Sequence, residues 1–333
     1  MTIGVADTPA TGARTATRTV AAEPQDVAAG AALDVLAAGG LVALPTETVY
    51  GLAADARSSA AVARLYAAKG RPAHNPLIVH VACLDDAAPF ADVEAARALA
   101  TLWPGPLTVV LPARPGIVAP AALAGGATVA VRVPATPLFR AVAAAFGPLV
   151  APSANRSGRV SSTTAAAVAE ELDGRIDLII DGGPTALGVE STVVDLTGRP
   201  TLLRPGAMDR RAIEARVGPL RDHDASGGAL RAPGLLASHY APRARLRLDV
   251  APQEVRPDEG WLALGEARSA AAEEHTVRLS RTNDLDEAAR GLYEGLRRLD
   301  ATGVEVIAVS PVVNEGIGTT IRDRLRRAAA PRD

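Results

Sequence analysis

Leu44-Pro45-Thr46-Glu47-Thr48-Val49-Tyr50-Gly51-Leu52 follows a strand-like apolar run, Leu41 to Leu44, and packs hydroxyls and a carboxylate into a tight turn. An ordinary turn uses Gly, Asn and Asp, which tolerate unusual backbone angles or bond to their own main chain. This one uses Thr, Glu, Thr and Tyr, so it reads either as a polar strand edge or as a loop shaped to hold something.

Outward from that turn, strand-like and helix-like segments alternate from Val27 to about Val217. Ser58 to Ala68 is predicted helical, capped by Ser58 or Ser59. A strand at Leu77 to Val81, Ala/Leu-rich helices between Asp85 and Leu102, and strands at Leu107 to Leu111 and Thr128 to Val133 follow. A helix at Pro137 to Ala145 leads to a short strand at Leu149 to Ala151. Thr163 or Thr164 caps the next helix, before strands at Leu178 to Asp181, Ser191 to Leu196 and Thr201 to Arg204. This order predicts an α/β fold with a mixed, twisted sheet. From about Asp222 to Arg243 the composition turns to Gly, Ser, Pro and Ala and reads as a linker. It contains a His239-Tyr240 pair between prolines that a plain tether would not need; a segment folding over a ligand would. Beyond it, strands at Leu246 to Val250, Trp261 to Leu264, Thr276 to Leu279 and Val304 to Val309, with helices at Leu285 to Leu299 and Gly316 to Ala329, predict a small parallel α/β unit.

The 333 residues suggest two domains, and the 48% apolar content, mostly Ala, Val and Leu, supports a packed core. A single cysteine, Cys83, excludes an internal disulfide and fits a reducing compartment. No apolar run approaches the about 20 residues that cross a bilayer. The expectation is a cytoplasmic protein with no membrane partner. A net charge of −2 gives no overall pull on nucleic acid, so RNA contact would have to be local. There is no P-loop, no Gly-x-Ser-x-Gly elbow, and no His or Cys spacing for zinc; Gly316-Ile317-Gly318 continues poorly as a dinucleotide fingerprint.

Lys69 is the only lysine among 35 Lys and Arg residues, and it is either a position that needs a compact ammonium where Arg serves elsewhere or one exposed lysine kept by chance. Lys69 and Arg71 near a helix end either offset its dipole or, fixed by Gly70 and Pro72, face a polyanion. His80 is either a satisfied core histidine or a ligand contact. Arg132 alternates against Val131 and Val133 and is either solvent-facing or a carboxylate clamp. Ala151-Pro152-Ser153-Ala154-Asn155-Arg156-Ser157-Gly158, with Ser161 and Ser162, is a loop of hydroxyls and amides that could cap a helix or cradle phosphate. Gly188-Val189-Glu190-Ser191 enters a strand, and Arg204-Pro205-Gly206 leaves the next.

Taken together, these motifs resemble the Sua5/YrdC family of threonylcarbamoyl-AMP synthases, in its longer Sua5 form. The resemblance rests on Pro45 to Leu52, Lys69-Gly70-Arg71-Pro72, Asn75-Pro76-Leu77-Ile78-Val79-His80, Pro152-Ser153-Ala154-Asn155, Leu203-Arg204-Pro205-Gly206 and Pro233-Gly234 to His239-Tyr240-Ala241-Pro242. Residues 1–23, rich in Ala and Thr with scattered Arg, read as a loose tail; the resemblance implies a YrdC-like catalytic domain over 24–221, a linker or lid over 222–243 and a Rossmann-like Sua5 domain over 244–333. The catalytic domain is expected as a large twisted sheet around a concave, positively charged cavity. The family reaction joins L-threonine, bicarbonate and ATP, with Mg²⁺ on the nucleotide, and passes its product to a tRNA threonylcarbamoyl transferase complex. By resemblance, Lys69, Arg71, Ser153 and Asn155 are catalytic candidates. Thr128, Ala154, Ser161, Arg204 and Tyr240 join them for ATP, and Thr46, His80, Arg132 and Ser191 hold threonine; no metal ligand is implied. The rival reading is a double-stranded RNA or tRNA-binding module, or weak tRNA contact beside the enzyme role.

Overall fold

The computed structural model describes residues 16–223 and 238–331. Its first unit comprises β1 (Arg18–Ala21), α1 (Gln25–Ala37), β2 (Val42–Leu44), β3 (Gly51–Asp55), α2 (Ser59–Lys69), β4 (Ile78–His80), β5 (Leu107–Pro112), β6 (Thr128–Arg132), α3 (Pro137–Phe146), β7 (Leu149–Val150), α4 (Ala165–Leu172), β8 (Leu178–Asp181), β9 (Thr192–Asp195), β10 (Thr201–Arg204), α5 (Arg210–Val217) and β11 (Arg221–Asp222). Among the described residues these strands form one mixed sheet, ordered β1-β8-β2-β3-β7-β4-β6-β5-β9-β10-β11.

Period-two alternation sorts the side chains between two faces. One face carries the larger core, where Val62 and Leu65 of α2, Leu99, Val168 and Ile213 pack over Ala43, Leu52, Val79, Val131 and Val150. On the other face, α1 and α3 cover β2, β3, β7 and β8 through Leu36, Leu138, Phe139 and Val142. Farther along that second face, over β4, β6, β5, β9 and β10, only a small apolar floor of Ile78, Val110, Ala130, Val193 and Leu203 remains. The polar motifs gather beside this floor.

Three expectations need correction. Residues 18–21 do not belong to a loose tail: β1 lies parallel to β8, and the Thr17 hydroxyl donates to the Ile176 carbonyl at 2.7 Å. The helices expected between Asp85 and Leu102 are 3₁₀ turns at Leu84–Ala87 and Glu94–Leu102, since Pro89 cannot continue a helical ladder and Ala91 bridges to Ala113 instead. Most of the expected linker, 224–237, lies outside the described residues, whereas Arg221–Asp222 adds β11 to the sheet edge.

The second unit holds β12 (Arg245–Arg247), β13 (Gly260–Leu264), β14 (Thr276–Ser280), α6 (Leu285–Ala301), β15 (Val306–Val309) and α7 (Ile317–Ala329), with the strands all parallel in the order β12-β15-β13-β14. β12 stops short of the expected Val250 because Asp249 turns into the left-handed region at φ 55°. α6 is capped by the Asp284 carboxylate, which accepts from the Asp286 and Glu287 amides. Val49, Val160 and Val189 of the first unit pack with Tyr240, Leu292, Tyr293 and Leu296 in a single core, so the two units share apolar surface.

Candidate active site

Parallel pairing of β4 with β6 puts His80 beside Arg132, and antiparallel pairing of β5 with β6 puts Thr108 on Arg132's other side. All three therefore rise from the thinly covered face. Arg132 is 4% exposed, which removes the solvent-facing reading. Its Nη2 donates to Glu47 Oε1 at 2.7 Å and to Thr48 Oγ1 at 2.9 Å, while its Nε is buried without a partner among the described residues. The Glu47 carboxylate is held in turn by the Ala135 amide at 3.0 Å. Thr46 closes the same hairpin loop: its hydroxyl donates to the Val49 carbonyl at 2.6 Å and sits 2.8 Å from Thr48 Oγ1. The Thr, Glu, Thr turn thus exists to orient one guanidinium.

His80 packs on Phe139 and turns Nδ1 toward the Ile78 carbonyl at 3.2 Å. Burial, and then the Arg132 charge, holds its pKa well below the ordinary range. The ring is neutral, with its proton on Nδ1, so Nε2 presents a lone pair to the face. The Ser191 hydroxyl lies 2.8 Å from that of Thr108 and 3.3 Å from Arg204 Nη2, which also donates to the Ser191 carbonyl at 2.9 Å. Thr46, His80, Arg132 and Ser191 are brought together.

The second group forms where α2 ends. Ser58 caps the helix start, and Gly70 takes the left-handed conformation at φ 59° that stops it, leaving Lys69 in the last turn. Lys69 points inward at 2% exposure and donates to the Ser153 and Asn155 carbonyls, each at 2.5 Å. Burial, and after it the neighbouring Arg71, holds its pKa well below the usual lysine range. One ammonium N–H remains for a ligand. Arg71 donates to the Asn75 and Pro76 carbonyls at 3.3 and 3.0 Å, and burial lowers its pKa to about 10, so it stays charged.

The Ser153 to Ser157 loop is not the expected cradle of amides. The Ala154 amide donates to the Tyr50 carbonyl, the Asn155 amide to Ser153 and the Ser157 amide to Lys69. Ala154 also has its carbonyl engaged, by the Ser162 hydroxyl, so it contributes loop shape and no free group. The loop instead turns carbonyls toward Lys69, and Asn155 keeps a buried, unpartnered Oδ1.

Tyr240 and His239 reach this group from the end of the connecting stretch. Tyr240 stacks on Tyr293 and lies under the Arg324 guanidinium at 5.1 Å, with its hydroxyl buried and unpartnered among the described residues. Burial lowers the His239 pKa to about 3, Glu190 opposes this, and Arg71, Lys69 and Arg204 push it down further. Glu190, Arg71, Lys69 and Arg204 thus all act on this one imidazole. Ser161 donates to Glu190 at 2.6 Å. Thr128 is the outlier, at the far end of β6 about 13 Å along the strand from Arg132. Continuing the register of β4 and β6 by two residues sets it toward Pro76, on the Arg71 side.

Sequence reasoning missed Asn75 and Glu190 as site residues. Asn75 is buried with both side-chain amide atoms unpartnered, although Tyr66 and Arg71 grip its main-chain carbonyl. Its place in the quoted Asn-Pro motif was the available signal. Glu190 carried none beyond adjacency to Ser191.

A family model described as "Telomere recombination", covering Sua5, YciO and YrdC proteins, matches residues 34–206, and one described as "Threonylcarbamoyl-AMP synthase, C-terminal domain" matches 208–330. The threonylcarbamoyl-AMP synthase of Bacillus subtilis is 40% identical over 311 residues, spanning 88% of this chain and 90% of its own length. That of Pyrococcus abyssi is 42% identical over 314 residues, spanning 88% and 92%. The crystal structure of P. abyssi Sua5 complexed with L-threonine superposes with a TM-score of 0.84 at 38% identity, over 95% of this chain and 97% of that one.

Proposed function

This chain belongs to the Sua5/YciO/YrdC family, and on that premise we propose that it is an enzyme making threonylcarbamoyl-AMP, with the polar face of its large sheet as the active site. The observation that carries this reading is the gathering of buried cations at two neighbouring stations, Arg132 beside the neutral His80 ring at one and Lys69, Arg71 and Arg204 at the other. A solved relative crystallised with L-threonine supports threonine as a substrate; ATP and bicarbonate complete the proposed set.

At the first station, the unpartnered Nε edge of Arg132 takes the threonine carboxylate, and the His80 Nε2 lone pair accepts from its amine or hydroxyl. Thr46 and Ser191 shape the pocket. At the second, the remaining Lys69 N–H, Arg71 and Arg204 face the phosphates, with Thr128, Ser153, Asn155, Ser161 and Tyr240 around the nucleotide. A triphosphate stabilises the charged ammonium that burial disfavours, so nucleotide binding raises the Lys69 pKa back toward its ordinary range. The threonine amine captures CO2 from bicarbonate as an N-carboxylate, which attacks the α-phosphorus and expels pyrophosphate, making the enzyme a nucleotidyltransferase. Both partners are anions, and fixed cations and close placement supply the rate without a covalent nucleophile. A Mg²⁺ carried on the triphosphate would add its charge to these cations at the developing negative charge.

No described helix is long and apolar enough to cross a membrane. We place the enzyme in the cytoplasm, handing its product to a tRNA threonylcarbamoyl transferase complex. The test is to incubate the chain with ATP, bicarbonate and labelled L-threonine. Threonine-dependent pyrophosphate and a labelled threonylcarbamoyl adenylate are expected; ATP turnover indifferent to threonine overturns the reading.

A further inference from the structure

Three side chains of the second unit reach the nucleotide station, and one of them, Arg324, joins several of its parts. Arg324, on α7, is 1% exposed and lies against three different parts of the first unit and the connecting stretch. Its Nε donates to Glu190 Oε2 at 2.7 Å, its Nη2 donates to the Pro205 carbonyl at 2.9 Å, and its guanidinium carbon lies 5.1 Å from the Tyr240 ring centre. Each contact is one step from a nucleotide candidate. Glu190 accepts the Ser161 hydroxyl at 2.6 Å, Pro205 follows Arg204 in the chain, and Tyr240 is itself a candidate. Tyr293 from α6 donates to the same carboxylate at 2.9 Å, and the Thr320 hydroxyl donates to the Gly206 carbonyl at 2.9 Å. No such contact reaches Thr46, His80 or Arg132; Ser191, which follows Glu190 in the chain and accepts from Arg204, is the one threonine candidate within a step of these contacts.

We propose that Arg324 is a positioning residue for the nucleotide half of the active site: through Glu190, Pro205 and Tyr240 it sets Ser161, Arg204 and the Tyr240 ring in place to receive ATP, while leaving Thr46, His80 and Arg132 of the threonine half untouched. This rests on the function proposed above. Ionised Glu190 takes the one hydroxyl proton of Ser161, so the direction of that hydroxyl is fixed by the pair, and a planar fork holding a carboxylate and a carbonyl together is a task lysine cannot copy. The second unit is thereby part of the nucleotide site, though none of its atoms need touch the nucleotide.

The test measures kcat and the KM for ATP, together with L-threonine affinity by calorimetry without ATP, in full-length variants. Arg324→Met alone leaves Glu190 buried and unpaired, a change that often unfolds a protein. The primary variant is therefore Glu190→Gln/Arg324→Met, which removes both charges at little cost to stability. A rise in KM for ATP of about tenfold or more is expected, with threonine affinity within about twofold of the parent chain. A merely structural role would lower the active fraction and hence kcat, leaving the KM for ATP where it was. Arg324→Lys, which keeps the charge but loses the fork, decides the matter should the double variant not fold, with a smaller rise in the same constant and again no change for threonine. An unchanged KM for ATP, or equal losses for ATP and threonine, overturns the proposal. The parent chain assayed in parallel separates the two ideas: if it forms no threonylcarbamoyl adenylate the functional reading fails, whereas a normal parent with an unshifted variant sinks only the role of Arg324.

Discussion

Asn75 is buried with neither side-chain amide atom bonded among the described residues, beside Arg71 of the proposed nucleotide station. A buried amide with neither atom bonded costs about 1–3 kcal/mol relative to a satisfied one, so Asn75→Ala is expected to melt no lower than the parent chain while raising the KM for ATP several-fold. A lowered melting temperature with normal kinetics would make Asn75 structural. Lys69→Ala should end threonine-dependent pyrophosphate release with the far-ultraviolet dichroism intact, and near-normal turnover would remove Lys69 from the machinery. His239 gives a pH prediction. Its folded pKa, about 3, lies below the unfolded value of about 6.5, so the unfolded chain binds the extra proton between those values and stability falls as pH drops through that window. Between pH 7 and 5 this amounts to about 2 kcal/mol, and urea midpoints should fall less in His239→Asn than in the parent chain; equal slopes would refute the assignment. The difference in visibility among these residues is physical. Lys69, Arg71, Arg132 and Ser153 stood out because charge or hydroxyl density at a turn is odd in itself. Asn75 and Glu190 matter because of what they lack or oppose in space, and neither property is written along the chain.

At the scale of elements, alternation read from the sequence put Arg132 opposite Val131 and Val133, and the sheet kept that order because one face was already filled by Val129 and Val131. The fate of the loops was less legible. The Ser153 to Ser157 segment has the composition of an anion-binding nest, but its amides were claimed by Tyr50, Ser153 and Lys69, a choice that depends on the neighbouring hairpin and on where α2 ends. The return from β10 shows how tight the packing is: a Cβ on Gly206 would lie 2.2 Å from the main chain of Ser191 and Thr192. Gly206→Ala must push the start of β9 away from the Pro205-Gly206 return that follows Arg204 at the end of β10. A stability loss above about 2 kcal/mol is expected, with poorer binding of ATP; a variant as stable as its parent would show that the loop has room.

At the scale of the molecule, the two α/β units were separable in the sequence by a change of composition, but their joint core was not. Val49, Val160 and Val189 look like ordinary apolar residues until α6 is laid across them. This shared core predicts one cooperative transition. In a Trp103→Phe chain the remaining tryptophan, Trp261, lies in the second unit, and its fluorescence should change at the same denaturant concentration as the far-ultraviolet signal; separated midpoints would mean the units unfold independently. The solitary lysine has a last consequence on this scale. Because Lys69 Nζ is the only side-chain amine in the chain and is clasped by two carbonyls deep in the fold, an amine-selective acylating reagent has a single side-chain target beyond the α-amine. Intact-mass spectrometry would then time the breathing of a single buried nitrogen, a clock that nature installed without any engineered tag.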